Sequence, residues 1–257
     1  MSDIAPFIHP DRVPPKIKPI KAMQHMRKLI ADKEDTEQVF HIIQALNGNA
    51  VERNFRASLK RPDGRARYLE RRSLPEFMDD HQGFGDLPRG SVGEAYIRFM
   101  KSEGLSAAGL VKESERFMQN YPVYEDDISW YGARQRDTHD LFHILTGYGR
   151  DAMGEASVLT FTYGQTPARG VMFIAVIAFL KMRKDYPASV KVKRVYDEAR
   201  RHSKMAEIIS DQDIPALMHE NLDEARARMN IPPPTAYYEA RETIANIPAH
   251  IRETLII

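Results

Sequence analysis

His139-Asp140-Leu141-Phe142-His143, followed twelve residues later by Glu155, is the stretch of this sequence best equipped for chemistry. Residues four apart on a helix stand one above the other, so His139 and His143 can aim their rings at a single ion. Asp140 is rotated by about 100° from His139, near enough to bind the same ion or to brace a ring nitrogen. Gly147, Gly149 and Gly154 let the chain break that helix and turn back, returning Glu155 to close the site. Two imidazoles with one or two carboxylates leave positions for water or substrate, the layout of a catalytic rather than a sealed structural metal site. The competing reading, two half-buried histidines beside a surface aspartate, leaves the spacing and the glycines unexplained. A di-iron carboxylate bundle is excluded: it needs Glu-x-x-His twice, and the sequence has none.

Composition narrows the metal and the partners. The 257 residues contain no cysteine, which removes disulfides, thiolate-bound zinc, iron–sulfur clusters and cysteine nucleophiles. Any metal is held by His, Asp or Glu, and nitrogen and oxygen donors permit zinc first, or manganese, iron or cobalt. The 37 basic and 36 acidic side chains give a formal charge of +1, without the basic footprint that nucleic acid demands. The amino-terminal segment lacks the apolar stretch of a secretory signal and carries Asp3 and Asp11, so the expected location is the cytoplasm. The longest apolar run, residues 170–180, is about half the roughly 20 residues of a spanning helix and reads as a buried helix or a cavity wall.

The elements that must position these residues are helical. Val39, Phe40, Ile43 and Leu46 recur at three- and four-residue steps behind a cap at Asp35 or Thr36. Ser91 to Glu94 is a capping box, Ser106 opens a further helix, and Asp126 or Asp127 starts one that runs to Gly147. Periodic stretches at 151–163, 168–184, 189–204 and 214–229 complete the set. Segments of period two flanked by hairpin turns are absent. The expectation is an all-α fold with a single multi-helix domain at 36–230. Proline-rich terminal arms flank it: residues 1–35, with a short amphipathic helix, and residues 231–257.

The stretch HDLFHILTGYGRDAMGE, residues 139–155, resembles the H-D-x2-H-x11-E signature of the fourth protein of the coenzyme Q (ubiquinone) biosynthesis set, in its bacterial form. Arg134 and Arg136 sit where that family tends to place arginines. Gln165-Thr166-Pro167, residues 87–106 and residues 222–234 resemble further segments of it. The resemblance implies an all-α protein that binds a divalent ion through His139, Asp140, His143 and Glu155. It implies oxidative decarboxylation of a prenylated aromatic ubiquinone precursor, the ring carboxyl being replaced by hydroxyl. It also implies peripheral association with the inner membrane and with other ubiquinone-biosynthesis enzymes, and by analogy a homodimer. Arg134 and Arg136 are then the candidate catalytic cations. Arg136 lies one turn before Asp140, where it can pair with that residue or with a substrate carboxylate, or stand as an exposed helix charge.

A prenyl tail needs an apolar slot, for which Phe142, Met172, Phe173, Val176, Ile177 and Leu180 are candidates, with ordinary core packing as the alternative. Ile20, Met23, Met26 and Ile30 share a helix face beside Lys18, Lys21, Arg27 and Lys28, suited either to an anionic membrane surface or to docking on the protein itself. Two other functions compete: a non-catalytic prenyl-lipid-binding scaffold, and a His-Asp phosphohydrolase that would draft His41 and Asp197.

Overall fold

Helical punctuation is carried out by the expected side chains at three helix starts, whereas Asp35 makes no capping bond and accepts from the Gln38 side chain instead. In the computed structural model, which describes all residues except 1–4, 14, 33–34, 81–83, 120, 249–254 and 256–257, Ser91 Oγ accepts from the Glu94 N–H, Ser106 Oγ from Gly109 and Asp126 from Ser129. Each satisfies an otherwise orphaned donor of a first turn. Among the described residues there are fifteen α-helices and no strand. In the first half these are α1 (Pro19–Ala31), α2 (Thr36–Leu46), α3 (Ala50–Ser58), α4 (Pro62–Glu70), α5 (Leu74–Asp79), α6 (Val92–Glu103), α7 (Ala107–Met118) and α8 (Asp127–Asp137). The second half holds α9 (His139–Thr146), α10 (Ala152–Gln165), α11 (Arg169–Asp185), α12 (Val192–Met205), α13 (Ile214–His219), α14 (Leu222–Arg228) and α15 (Thr235–Ala245). The all-α expectation holds.

Helix α10 lies at the centre because more than half of its circumference is apolar or small. Met153, Ala156, Ser157, Val158, Thr160 and Phe161 are all buried, and α9, α11 and α12 pack around it. The main core runs through α5, α6, α9, α10, α12, α13, α14 and α15. A second cluster joins Ala22, Met26 and Leu29 of α1 to Ile42, Ala45 and Leu46 of α2 and Ile174 of α11. Thus α1 docks on the protein through Ala22, Met26 and Leu29. Ile20, Met23 and Ile30, expected to share the apolar face, point outward instead.

Three further expectations shift. The carboxy-terminal segment is not simply an extended arm: α15 lies against α12 with Ala236, Tyr237 and Ala240 buried, its first N–H groups held by the buried Glu198 carboxylate. The stretch 214–229 is two helices, because Asn221 caps α14 by accepting from the Asp223 and Glu224 N–H groups. The helix starting at Asp127 stops at Thr138, whose backbone (φ −90°, ψ 0°) breaks the register before α9 begins. No helix among the described residues is long and apolar enough to cross a membrane.

The segment before α1 is tethered by the acids that open α8. Arg12 donates to Asp126 (Nε to Oδ2 2.5 Å, Nη2 to Oδ1 2.7 Å), while Asp127 accepts from the Phe7 N–H at 2.6 Å and the Tyr68 hydroxyl at 2.7 Å. Burial alone would raise the Asp126 carboxyl, but Arg12 and the N–H groups of Ser129 and His9 outweigh it and hold the group at about 2, against an ordinary 3.8. A carboxylate lowered on folding contributes stability that is fully present above its unfolded value and is lost as pH falls through its folded one. Asp126→Asn is therefore expected to destabilise the protein in urea unfolding at neutral pH, with the gap to wild type closing between roughly pH 4 and pH 2. A gap independent of pH would contradict this account.

Candidate metal centre

The site is built on a chain reversal of five residues. Helix α9 carries His139 at its first position and His143 one turn on, so both rings emerge from the same face. It ends at Gly147, whose φ of +78° lies in the left-handed region, and where a Cβ would also meet the Tyr238 hydroxyl at 2.6 Å. Asp151 then caps α10 by accepting from the Met153 and Gly154 N–H groups at 3.2 and 3.1 Å. Gly154 lies so close to the Gly149 carbonyl that a Cβ there would come within 2.0 Å of its oxygen. Tyr237 of α15 braces the turn by accepting from the Gly149 N–H at 2.9 Å and donating to the Asp151 carboxylate.

This turn delivers Glu155 to the two imidazoles. Its Oε2 lies 3.5 Å from His143 Nε2 and 3.9 Å from His139 Nε2, and the potential ligand atoms of the three residues all fall within 4.8 Å of one another. Donors about 2.1 Å from a tetrahedral ion stand roughly 3.4 Å apart, so the cluster is the right size for a first-row divalent cation with small adjustments. His143 is buried and its Nδ1 lies 3.0 Å from the Tyr148 carbonyl, which places a proton on Nδ1 and turns Nε2 toward Glu155. Phe99 of α6 stacks on the His143 ring at 5.5 Å, and the His139 ring meets His143 edge-on at 5.2 Å.

Electrostatics favour the ligand forms of His139 and Glu155 and pair Glu155 with His143. Burial and the neighbouring His143 lower the His139 pKa, leaving that imidazole neutral at physiological pH. Burial opposes charge on Glu155, yet its hydrogen bond to His143 and the charges of His143, His139 and Arg150 pull its pKa down. Burial likewise opposes charge on His143, but the hydrogen bond and charge of Glu155 prevail and raise it.

The remaining expected residues fall in different places. Asp140 is outside the three-residue cluster; its negative charge acts on His139 and His143 and, with burial, helps raise the Tyr96 hydroxyl. Arg134 is buried and donates to the carbonyls of Ser210 and Gln212 at 2.7 and 2.8 Å, tying α8 to the segment before α13. Arg136 pairs with Asp137 at 2.7 Å rather than with Asp140, because the break at Thr138 separates it from the α9 register. The cation beside the cluster is Arg150, in the turn, with Nε 3.7 Å from Glu155 Oε1 and Nη1 3.4 Å from Glu103 Oε2. Only its place between the motif's second histidine and Glu155 could have flagged it.

Phe142 is buried edge-to-face against Phe161, Phe173 and Ile177 cover the α1–α2 cluster, and Met172 accepts from the Tyr196 hydroxyl. Val176 is half-buried and Leu180 exposed. His41 stacks on His25 at 4.2 Å between α1 and α2, and Asp197 pairs with Lys193 on α12, so neither joins the cluster that a His-Asp phosphohydrolase would require.

Fold and site together define an all-α protein with a candidate two-histidine, one-carboxylate metal centre at a helix reversal. The chain belongs to the Coq4 family: the family model described as coenzyme Q (ubiquinone) biosynthesis protein Coq4 matches residues 21–235. Among curated relatives, a mitochondrial ubiquinone biosynthesis protein COQ4 of Paracoccidioides lutzii is 27% identical over 123 residues, 47% of this chain and 41% of the relative. The zebrafish (Danio rerio) homologue is 28% identical over 105 residues, 41% of this chain and 36% of its own length. That of Scheffersomyces stipitis is 23% identical over 179 residues, 68% of this chain and 52% of the relative. The matches thus span about half the length of these relatives or less. A crystal structure from Nostoc punctiforme, described as a ubiquinone biosynthesis protein, shares the fold with a TM-score of 0.63 at 21% identity, covering 84% of this chain and 99% of that one.

Gly154→Ala is expected to force the Gly149 carbonyl away, costing about 1–3 kcal/mol as an overpacking substitution and weakening zinc binding through displacement of Glu155. Urea unfolding and zinc titration check this; unchanged stability would show that the close approach does not hold the site.

Proposed function

We propose that this chain acts in ubiquinone biosynthesis as a divalent-metal-dependent oxidative decarboxylase of a prenylated aromatic precursor. The observation that supports this reading is the convergence of His139, His143 and Glu155 within ion-binding distance, with Arg150 beside them. His139, His143 and Glu155 would hold the ion, with Asp140 as a nearby negative charge. Zinc is the first choice, and manganese, iron and cobalt suit the same donors. When bound, such an ion supplies Lewis acidity at the substrate's carboxyl and phenolic oxygens.

The protein's own groups do the rest. The Tyr148 carbonyl fixes the His143 tautomer, Phe99 shields its ring from water, and Arg150 offers a cation for a ring carboxylate. In the net reaction the bond from ring carbon to carboxyl breaks with release of carbon dioxide, and a carbon–oxygen bond forms at the same carbon. That carbon loses two electrons to dioxygen, which leaves as hydrogen peroxide, while water supplies the oxygen atom and its protons complete the phenol and the peroxide. Since zinc does not change valence, with zinc those electrons come directly from the electron-rich ring. Of the apolar residues expected for the prenyl tail, the half-buried Val176 and the exposed Leu180 of α11 remain, since Phe142, Phe173 and Ile177 are engaged in core packing.

The same reading places the protein at the surface of the inner membrane beside other ubiquinone-biosynthesis enzymes, as a homodimer. The outward Ile20, Met23 and Ile30 of α1, flanked by Lys21, Arg27 and Lys28, support the membrane part of it. His143→Ala is expected to keep the helical content while losing bound zinc by more than about 100-fold, since even outer-shell partners cost 10–100-fold, and to abolish ring decarboxylation. Elemental analysis, circular dichroism and ubiquinone synthesis in cells relying on the variant check the three parts. Sustained ubiquinone synthesis without metal would favour the scaffold role over catalysis.

A further inference from the structure

Arg150 is loosely held for a residue at the edge of a candidate active site. Its contacts to Glu103 and Glu155, at 3.4 and 3.7 Å, are well beyond the roughly 2.7–2.9 Å of a seated charge-assisted bond. Elsewhere the protein builds seated pairs: Arg228 engages Glu220 with two bonds of 2.9 Å, and Arg12 grips Asp126 as described above. The five N–H donors of the Arg150 guanidinium are therefore underused, and its side chain is one-third exposed.

Glu103 is a poor permanent partner. It is the last residue of α6, where the negative end of the helix dipole disfavours a carboxylate, and its side chain is 37% exposed. An exposed ion pair of this kind contributes little to stability. Glu155, the other acid, has its second oxygen turned toward the histidines. Phe99 lies one turn before Glu103 on α6, so the helix that offers an aromatic ring to His143 also offers the carboxylate that touches Arg150.

We propose that Glu103 is a resident stand-in for the substrate: its carboxylate occupies the Arg150 guanidinium in the free protein and yields it to an aromatic carboxylate that binds beside Phe99. This names the group that seats the carboxylate of the proposed substrate and rests on that reading for the substrate class. The exchange is carboxylate for carboxylate, so the Arg150 guanidinium keeps an anionic partner whether the site is free or filled. Selection against neutral aromatics follows, because they cannot replace Glu103 on the guanidinium.

The test titrates zinc-loaded protein with benzoate and, separately, with neutral benzamide by calorimetry. Glu103→Gln is expected to bind benzoate about two- to fivefold tighter, the release of an exposed ion pair, with benzamide unchanged. Arg150→Gln is expected to bind benzoate about 10- to 100-fold weaker, the loss of a charge-assisted bond, with Arg150→Lys recovering part of it. Equal or weaker benzoate binding by Glu103→Gln, an equal gain for benzamide, or no benzoate binding by wild type would overturn the proposal. Elemental zinc analysis of each variant runs in parallel. A wild-type protein that binds no zinc sinks the metal reading, while the benzoate comparison, repeated on that protein, still decides the exchange.

Discussion

Everything at the candidate site depends on the backbone contact between Gly154 and the Gly149 carbonyl. A helix pair supplying His139 and His143 from one element and Glu155 from the next must reverse within five residues, and it must do so tightly enough that 3.5 and 3.9 Å separate the facing atoms. Any side chain at position 154 would stand inside the carbonyl. Gly147 contributes the left-handed step, Asp151 the cap, and Tyr237 a hydroxyl that ties both ends of the turn to α15. The last described helix of the chain is thus part of the support of a site whose ligands lie nearly a hundred residues earlier.

That support sets the state of the ligands as well as their place. The Tyr148 carbonyl, in the same turn, takes the Nδ1 proton of His143, so the geometry that brings Glu155 near also chooses which nitrogen faces it. Burial and His143 keep His139 neutral, while Glu155 and His143 share a proton in a favourable pair. On the proposed metal reading that proton is lost when an ion binds, so that affinity would rise with pH.

Much of the fold was legible because local signals and global packing agree. The caps at Ser91, Ser106 and Asp126 were readable as single residues, and α10 as a periodic stretch, though not its central position. The histidine pair and the glycine-rich reversal were readable as spacing. What escaped was decided by contacts distant in sequence. Nothing local to residues 231–248 announces that Glu198 will hold the start of α15. Arg134 is five residues from His139 along the chain, but the break at Thr138 and the carbonyls of Ser210 and Gln212 turn it into a structural tie. The face of α1 was misread by one position: Ala22 and Leu29, less conspicuous than Ile20 and Met23, make the contact with α2.

The contrast between Arg134 and Arg150 carries a general point about motif-based readings. A motif reports the residues that must touch the ion, since their spacing is fixed by helix geometry. Cations and aromatics that surround the ion come from wherever the fold places them: Phe99 and Glu103 from α6, Arg150 from the turn itself. With no cysteine in the chain, the candidate ligands are weaker donors than thiolates, and charge next to them weighs more on what the centre can hold. Variation at positions 99, 103 and 150 would therefore retune the candidate site while His139, His143 and Glu155 stay unchanged.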